Sequence, residues 1–282
     1  MIVPGAHVVP SAMQRSGFEG RMTDSDAGLS KPDSAQIIRL LLSNESQDRL
    51  RAVEMLSGNV TALDYIAQNC EDDDTRLAAV EELAGNVEAL KNVYRNSEHA
   101  DTTSAAVDKL ASMVDELTDA EALVIVAMHS YRAYSRLAAV NKLARNVEAL
   151  VDVVTHSKHE DARMASVDKL AEMVDELTNV RALTCVALHS NRADANMTAL
   201  GKLNGNAEAL ADVAKHSINS QVRMGALQIL SRNIEVLEDV QVNSNHSNTK
   251  LAAERFIQSL RRREVYANRM AEILSSTVAQ EN

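Results

Sequence analysis

Between Asp101 and Ser220 the apolar and polar positions of the chain run through the same order twice. Residues 101–160 and 161–220 are identical at roughly half of their positions at an offset of 60. The run MVDELT at Met113–Thr118, for example, returns as Met173–Thr178. So regular a period marks a repeat architecture. Inside the repeats the apolar spacing is helical. In residues 74–100, Leu77, Ala79, Val80 and Leu83 share one face at 3.6 residues per turn, and Asp74 or Thr75 can cap that helix. Gly85-Asn86 interrupts it, because glycine accepts the left-handed conformation that ends a helix and asparagine is a strong N-cap for the next one. The second helix turns Val87, Leu90, Val93 and Tyr94 inward and places Glu88 near the positive end of its dipole. The capping residue recurs as Asn59, Asn146, Asn206 and Asn233, and in two longer units as Asp119 and Asn179. Each unit therefore reads as a helical hairpin whose apolar face only its neighbours can cover.

This pattern predicts seven hairpins over residues 47–247, at 47–73, 74–100, 101–133, 134–160, 161–193, 194–220 and 221–247. The units at 101 and 161 carry six extra residues before the second cap. If helical, these lengthen the first helix by about 9 Å and bring Met113, Val114 and Leu117, or Met173, Val174 and Leu177, onto its apolar face. Residues 34–46 read as an N-terminal capping helix and residues 248–282 as divergent C-terminal capping helices. In the latter, Phe256, Leu260, Tyr266, Met270 and Leu274 supply larger apolar groups, and Arg261-Arg262-Arg263 is the one basic run. Residues 1–33 read as a flexible leader, since all three prolines and four of the nine glycines lie there; a transit peptide is the functional alternative. After Pro32 no proline follows, as nearly continuous helix requires.

Composition narrows the function classes. Aromatic residues make up 2% and tryptophan is absent, so the core is built from Ala, Leu, Val and Met. The two cysteines, Cys70 and Cys185, form no framework and have no metal-ligand spacing, which points to a reducing, cytoplasmic setting. No apolar run is long enough to span a membrane. Of the net charge of −11, residues 47–247 carry −12. So acidic an array repels phosphate backbones, and no nucleic acid is expected as partner.

The two-helix units with R-L-A-A-V-x-x-L at Arg76–Leu83 and Arg136–Leu143 resemble the HEAT- and armadillo-type α-solenoids, in particular short HEAT-like repeats, over about residues 47–260. The resemblance implies an all-α, right-handed solenoid of two-helix repeats and a non-enzymatic role as a scaffold for partners. Two family devices are missing. The Trp and Asn ladders with which armadillo proteins hold basic targeting peptides have no counterpart without tryptophan. The aromatic and basic groove residues of HEAT-like DNA glycosylases are absent too, so a nucleic-acid enzyme is the weakest alternative.

Candidate chemistry is sparse. His129, His156, His189 and His216 occupy one repeat position, where Asn69, Asn96 and Asn243 stand in other units. Equivalent atoms of stacked repeats lie about 9 Å apart, too far for a shared metal, so the position reads as helix-end capping. No catalytic, cofactor or metal constellation emerges. Two features of the second helices suggest a partner-binding face. Acidic pairs at i, i+4, namely Glu148/Asp152, Glu208/Asp212 and Glu235/Asp239, disfavour the helix by a few tenths of a kcal/mol, and stacking would align them into an acidic stripe for a basic protein or peptide. At the outward positions of the long units stand Val124, Ile125 and Met128, then Thr184, Cys185 and Leu188, either covered by the lengthened first helices or exposed as a contact patch. If exposed, such patches support self-assembly, which leaves monomer and homodimer both open.

Overall fold

The computed structural model describes the backbone of residues 31–280 and the side chains of residues 34–273. Among these the chain is all-α, with sixteen helices and no strand. They are α1 (Lys31–Leu41), α2 (Ser46–Met55), α3 (Val60–Asn69), α4 (Asp73–Glu82), α5 (Val87–Asn96), α6 (Ala100–Ser112), α7 (Ala120–His129), α8 (Ala133–Lys142), α9 (Val147–His156), α10 (Glu160–Glu172), α11 (Val180–His189), α12 (Ala193–Lys202), α13 (Ala207–His216), α14 (Ser220–Ile229), α15 (Ile234–Asn243) and α16 (Ser247–Gln280). By contacts the chain divides into two units, Met1–Met55 and Leu56–Asn282. In the first, α1 packs on α2, with Ile37, Ala52 and Val53 buried. Pro32 falls in the first turn of α1, where a proline is tolerated. The leader lies outside the described residues up to residue 30.

The second unit is a stack of two-helix repeats. First helices α4, α6, α8, α10, α12, α14 and α16 pack in series, and so do second helices α7, α9, α11, α13 and α15. All seven predicted second-helix caps form: the side-chain oxygens of Asn59, Asn86, Asp119, Asn146, Asn179, Asn206 and Asn233 each accept the amide N–H three residues on, at 2.8–3.2 Å. Gly58, Gly85 and Gly205, each just before such a cap, have φ between 85° and 101°. The cap of α4 is Asp72, not Asp74 or Thr75. Its carboxylate takes the Thr75 N–H, and Thr75 itself is buried.

Each second helix packs most closely on the first helix that follows it, and unit is tied to unit by buried arginines on α4, α8 and α14. The Arg136 Nη1 donates to the Ser130 carbonyl at 2.8 Å, while Nε and Nη2 reach Asp161 of the next unit at 3.0 and 2.7 Å. Arg76 repeats the arrangement toward Cys70 O, Thr102 and Asp101, and Arg223 toward Ser217 O and Thr249. The rung between them is Asn196. Its amide donates to Ser190 O at 3.0 Å, and its buried Oδ1 has no partner. In the next unit Gln221-Val222 stand in place of Asp101-Thr102, and nothing in the structure explains the exchange of arginine for Asn196.

Two expectations need correction. The extra residues of the long units do not all extend the helix. Helices α6 and α10 have 13 residues against 10 in α4, a gain of about 4.5 Å, and the remainder forms a tight turn. In that turn the Met113 N–H bonds back to Leu110 O and the Leu117 N–H to Met113 O, burying Val114 and Leu117 and half-burying Met113. Second, the C-terminal segment is one 34-residue helix, not several. Leu260 occupies the place of the Asn233 cap and no glycine precedes it, so nothing breaks α16.

Candidate interaction surface

The capping asparagine fixes which way each second helix faces. Two and six residues after it the side chains point outward, at Glu148 and Asp152 on α9, Glu208 and Asp212 on α13, and Glu235 and Asp239 on α15. Glu148, Glu208, Glu235 and Asp239 are exposed; Asp152 and Asp212 are half-buried. These carboxylates do not form an unbroken stripe. On the intervening α11 the equivalent of Glu148 is Arg181, which lies 3.9 Å from Asp152. Lys215 bridges Asp212 at 3.2 Å and Asp239 at 3.1 Å, and Asn243 together with Lys215 holds the Asp239 carboxyl below its ordinary range. What stays open is Glu148 on one side, with Glu208 and Glu235 on adjacent α13 and α15.

The long-unit positions are mostly covered. Ile125 is 5% exposed, and Val124, Met128, Thr184, Cys185 and Leu188 are all half-buried. The Thr184 hydroxyl donates to Val180 O at 2.8 Å, satisfying itself within the helix. Burial pushes the Cys185 thiol up to about 11. A thiol so held stays protonated at neutral pH and is a poor nucleophile or metal ligand.

Between α5 and α7 lies a charge network that sequence spacing alone did not reveal. The Lys91 ammonium, 6% exposed, meets Glu88 at 2.8 Å, Asp119 at 3.1 Å and Glu121 at 3.5 Å. Arg95 also pairs with Glu121. The partner contacts, Glu88 foremost, raise the Lys91 pKa against the opposing effect of burial, and Arg95 lowers that of Glu121. The pairs that reach Asp119 and Glu121 join groups 26–30 residues apart, so only the repeat offset could have exposed them.

The histidine position behaves as a helix end. The His156 and His216 ring nitrogens bond the carbonyls of Asp152 and Asp212 at 3.1 Å, and Asn69 bonds that of Tyr65 at 2.9 Å. The following serine shapes the loop to the next helix: Ser130, Ser157, Ser190 and Ser217 each accept the N–H two residues on through the side chain. His129 and His189 are lowered in pKa chiefly by burial. Among the described residues no group of three or more His, Cys, Asp or Glu side chains could hold a metal ion, and no helix is long and apolar enough to cross a membrane.

Two apolar surfaces also escaped the sequence pattern. Leu137, Met164, Met197, Met224 and Leu251 occupy one repeat position on five successive first helices, all partly or fully exposed. Counted inward from helical spacing, Leu77 belongs to this same outer row and is only half-buried. On α16, every residue from 261 to 273 is exposed, including Val265, Tyr266, Met270 and Ile273. In the Arg261–Arg263 run, Arg261 pairs with Glu238 at 2.7 Å.

No protein-family model matches the chain, and no curated protein matches it. Among solved structures, one described as "Computational Design of Self-Assembling Cyclic Protein Homooligomers" aligns over 86% of this chain and 92% of that chain, at 15% identity and a TM-score of 0.15. A TM-score that low carries no structural argument.

Proposed function

We propose that the chain is a non-enzymatic, cytoplasmic interaction scaffold of the HEAT/armadillo-like kind, whose second-helix face takes a basic segment of a partner protein. The observation that carries this reading is the pair of exposed glutamates Glu208 and Glu235, at the same repeat position on adjacent helices, each a turn away from a second carboxylate. Lys215 neutralises the aspartates below them, so the glutamates are the groups left to a partner. Surface charge of this kind acts mainly on encounter rate and specificity, and the binding falls as salt rises. The test is the binding of a fluorescent Lys/Arg-rich peptide at low ionic strength. Glu208→Lys with Glu235→Lys abolishes it while the helical CD spectrum is unchanged. Unaltered affinity in that variant overturns the reading.

A second reading, self-assembly, is favoured by the exposed apolar residues of α16 rather than by the covered positions of the long units. Light scattering separates the two: concentration-dependent growth in mass that Met270→Glu abolishes supports it, and a strict monomer removes it.

A further inference from the structure

The sixty-residue offset sets two equivalent places side by side. Ahead of the first long hairpin, Tyr94 on α5 lays its ring against His129 of α7, centroids 5.2 Å apart at an interplanar angle of 44°. Sixty residues on, the histidine is kept as His189, but the tyrosine has become Val154 on α9. Valine ends where the ring would begin. The space between Val154 and His189 is a cleft of about 350 Å³. Met164 and Val167 of α10 line it together with Val154, while Arg163, Asn191 and His189 supply its polar side.

We propose that this cleft binds a phenolic ring, in the place that the chain's own Tyr94 fills in the twin repeat. The size is that of a small ligand site, and the lining is of the mixed kind such sites show, apolar with a few polar groups. A ring there would lie on the His189 imidazole as Tyr94 lies on His129, and Met164 would offer its thioether to the ring edge. The substitution is partly compensated, since Thr103 and Ser104 of the twin become the larger Arg163 and Met164. A cleft remains nonetheless, because Arg163 is drawn to Glu160 at 2.8 Å. Burial and Arg163 lower the His189 pKa against the opposing pull of Glu160, which favours the neutral imidazole as the surface for an uncharged ring. This site is independent of the acidic face on which the proposed scaffold role rests.

The experiment titrates the full chain with p-cresol, N-acetyltyrosine amide and, as the non-aromatic control, 4-methylcyclohexanol, following the histidine ring signals by NMR. Saturable shifts of His189 with p-cresol, at least tenfold tighter than with 4-methylcyclohexanol, are expected. Tighter binding of p-cresol than of the amide identifies a free phenol as the ligand; the reverse identifies a tyrosyl side chain. Val154→Tyr with Met164→Ser restores the twin's tyrosine and the smaller Ser104 beside it, and should abolish the p-cresol response while leaving the fold intact by CD. Tyr94→Val opens the twin, so that His129 acquires a p-cresol response of its own. No saturable His189 shift in the unmodified chain, or equal binding of the ring and its saturated analogue, overturns the proposal whatever the variants do.

Discussion

The two long hairpins, α6/α7 and α10/α11, share length, turn and caps, yet they are coupled to the short hairpin before them by opposite charge patterns. In the first, α5 supplies the cations Lys91 and Arg95, and α7 supplies the anions Asp119 and Glu121. In the second, Lys91 and Arg95 become Val151 and Thr155, while Asn92, Asp119 and Glu121 become Asp152, Asn179 and Arg181. What remains is one loose pair, Arg181 with Asp152 at 3.9 Å. Every exchange on one helix has its answer on the next, as electrostatic pairing across a repeat interface requires. The difference teaches that the backbone of this repeat is fixed by caps and apolar faces, which both copies keep. Coupling charge can be rewritten on top of them.

The largest effect belongs to the rung that enters the second long hairpin. Arg136→Met removes the donor to Ser130 O and leaves Asp161 without its guanidinium, costing about 2–3 kcal/mol in urea unfolding. Its pH dependence has a definite sign. Arg136 holds the Asp161 carboxyl below the ordinary carboxylate range, so the folded state binds its proton less readily than the unfolded chain does. The rung therefore contributes fully above about pH 4 and is lost as the pH falls through the lowered value. The difference between Arg136→Met and the unmodified chain should shrink in acid. Arg223→Met is the control: its side-chain partners Thr249 and Asn248 do not titrate, so its penalty should hold constant between pH 7 and pH 3. Equal pH profiles for the two variants would contradict the assignment.

Next in size is the network of the first long hairpin. Lys91→Val alone leaves Glu88, Asp119 and Glu121 facing one another. Because those carboxylates keep 40–67% of their side-chain surface exposed, solvent moderates the cost to about 1–2 kcal/mol. Transplanting the whole second pattern, Lys91→Val, Asn92→Asp, Arg95→Thr, Asp119→Asn and Glu121→Arg, should return stability to within about 1 kcal/mol of the unmodified chain. Neighbouring substitutions that share partners are expected to be non-additive in this way. If the single and the fivefold variant unfold at the same urea concentration, the charges do not couple the hairpins.

Much of this organisation was legible in the sequence because it rests on local chemistry. The Asn and Asp caps, the unit lengths and the all-α class follow from spacing within a dozen residues, and the seven second-helix caps form where the pattern put them. What spacing could not give was the outcome of competition between neighbours. Helical period alone placed Leu77 inward, but the stack buries Arg76 beside it, because only arginine reaches both its own loop carbonyls and the next unit's Asp101. The six extra residues looked like uninterrupted helix, yet α6 ends at Ser112 and the Met113 N–H closes a turn on Leu110 O. On the candidate surface, the repeat offset puts Glu148, Glu208 and Glu235 at one repeat position, where all three are exposed, but the cations that break their row, Arg181 and Lys215, matter only through contacts across helices. The pairing of Tyr94 with His129 was likewise open only to a comparison across units.

The smallest effect tests whether the two long hairpins differ in packing or in charge alone. Cys185 stands where the first copy has Ile125, which is buried, while the thiol is half-buried with its pKa pushed up to about 11. Both values describe an apolar niche, and the flanking exchanges, Val124 for Thr184 and Met128 for Leu188, leave its volume nearly unchanged. Cys185→Ile should therefore stabilise the chain by up to about 1 kcal/mol, the added carbons being removed only in part from water. In a Cys70→Ser background, the Cys185 thiol should alkylate slowly at pH 7.5 and faster as the pH is raised toward 11. A loss of more than about 1 kcal/mol on introducing isoleucine would show the niche closed around sulfur, since overpacking a filled site costs that much or more. The hairpins would then have diverged in their cores as well as on their coupled faces, and transplanting the charge pattern alone could not interchange them.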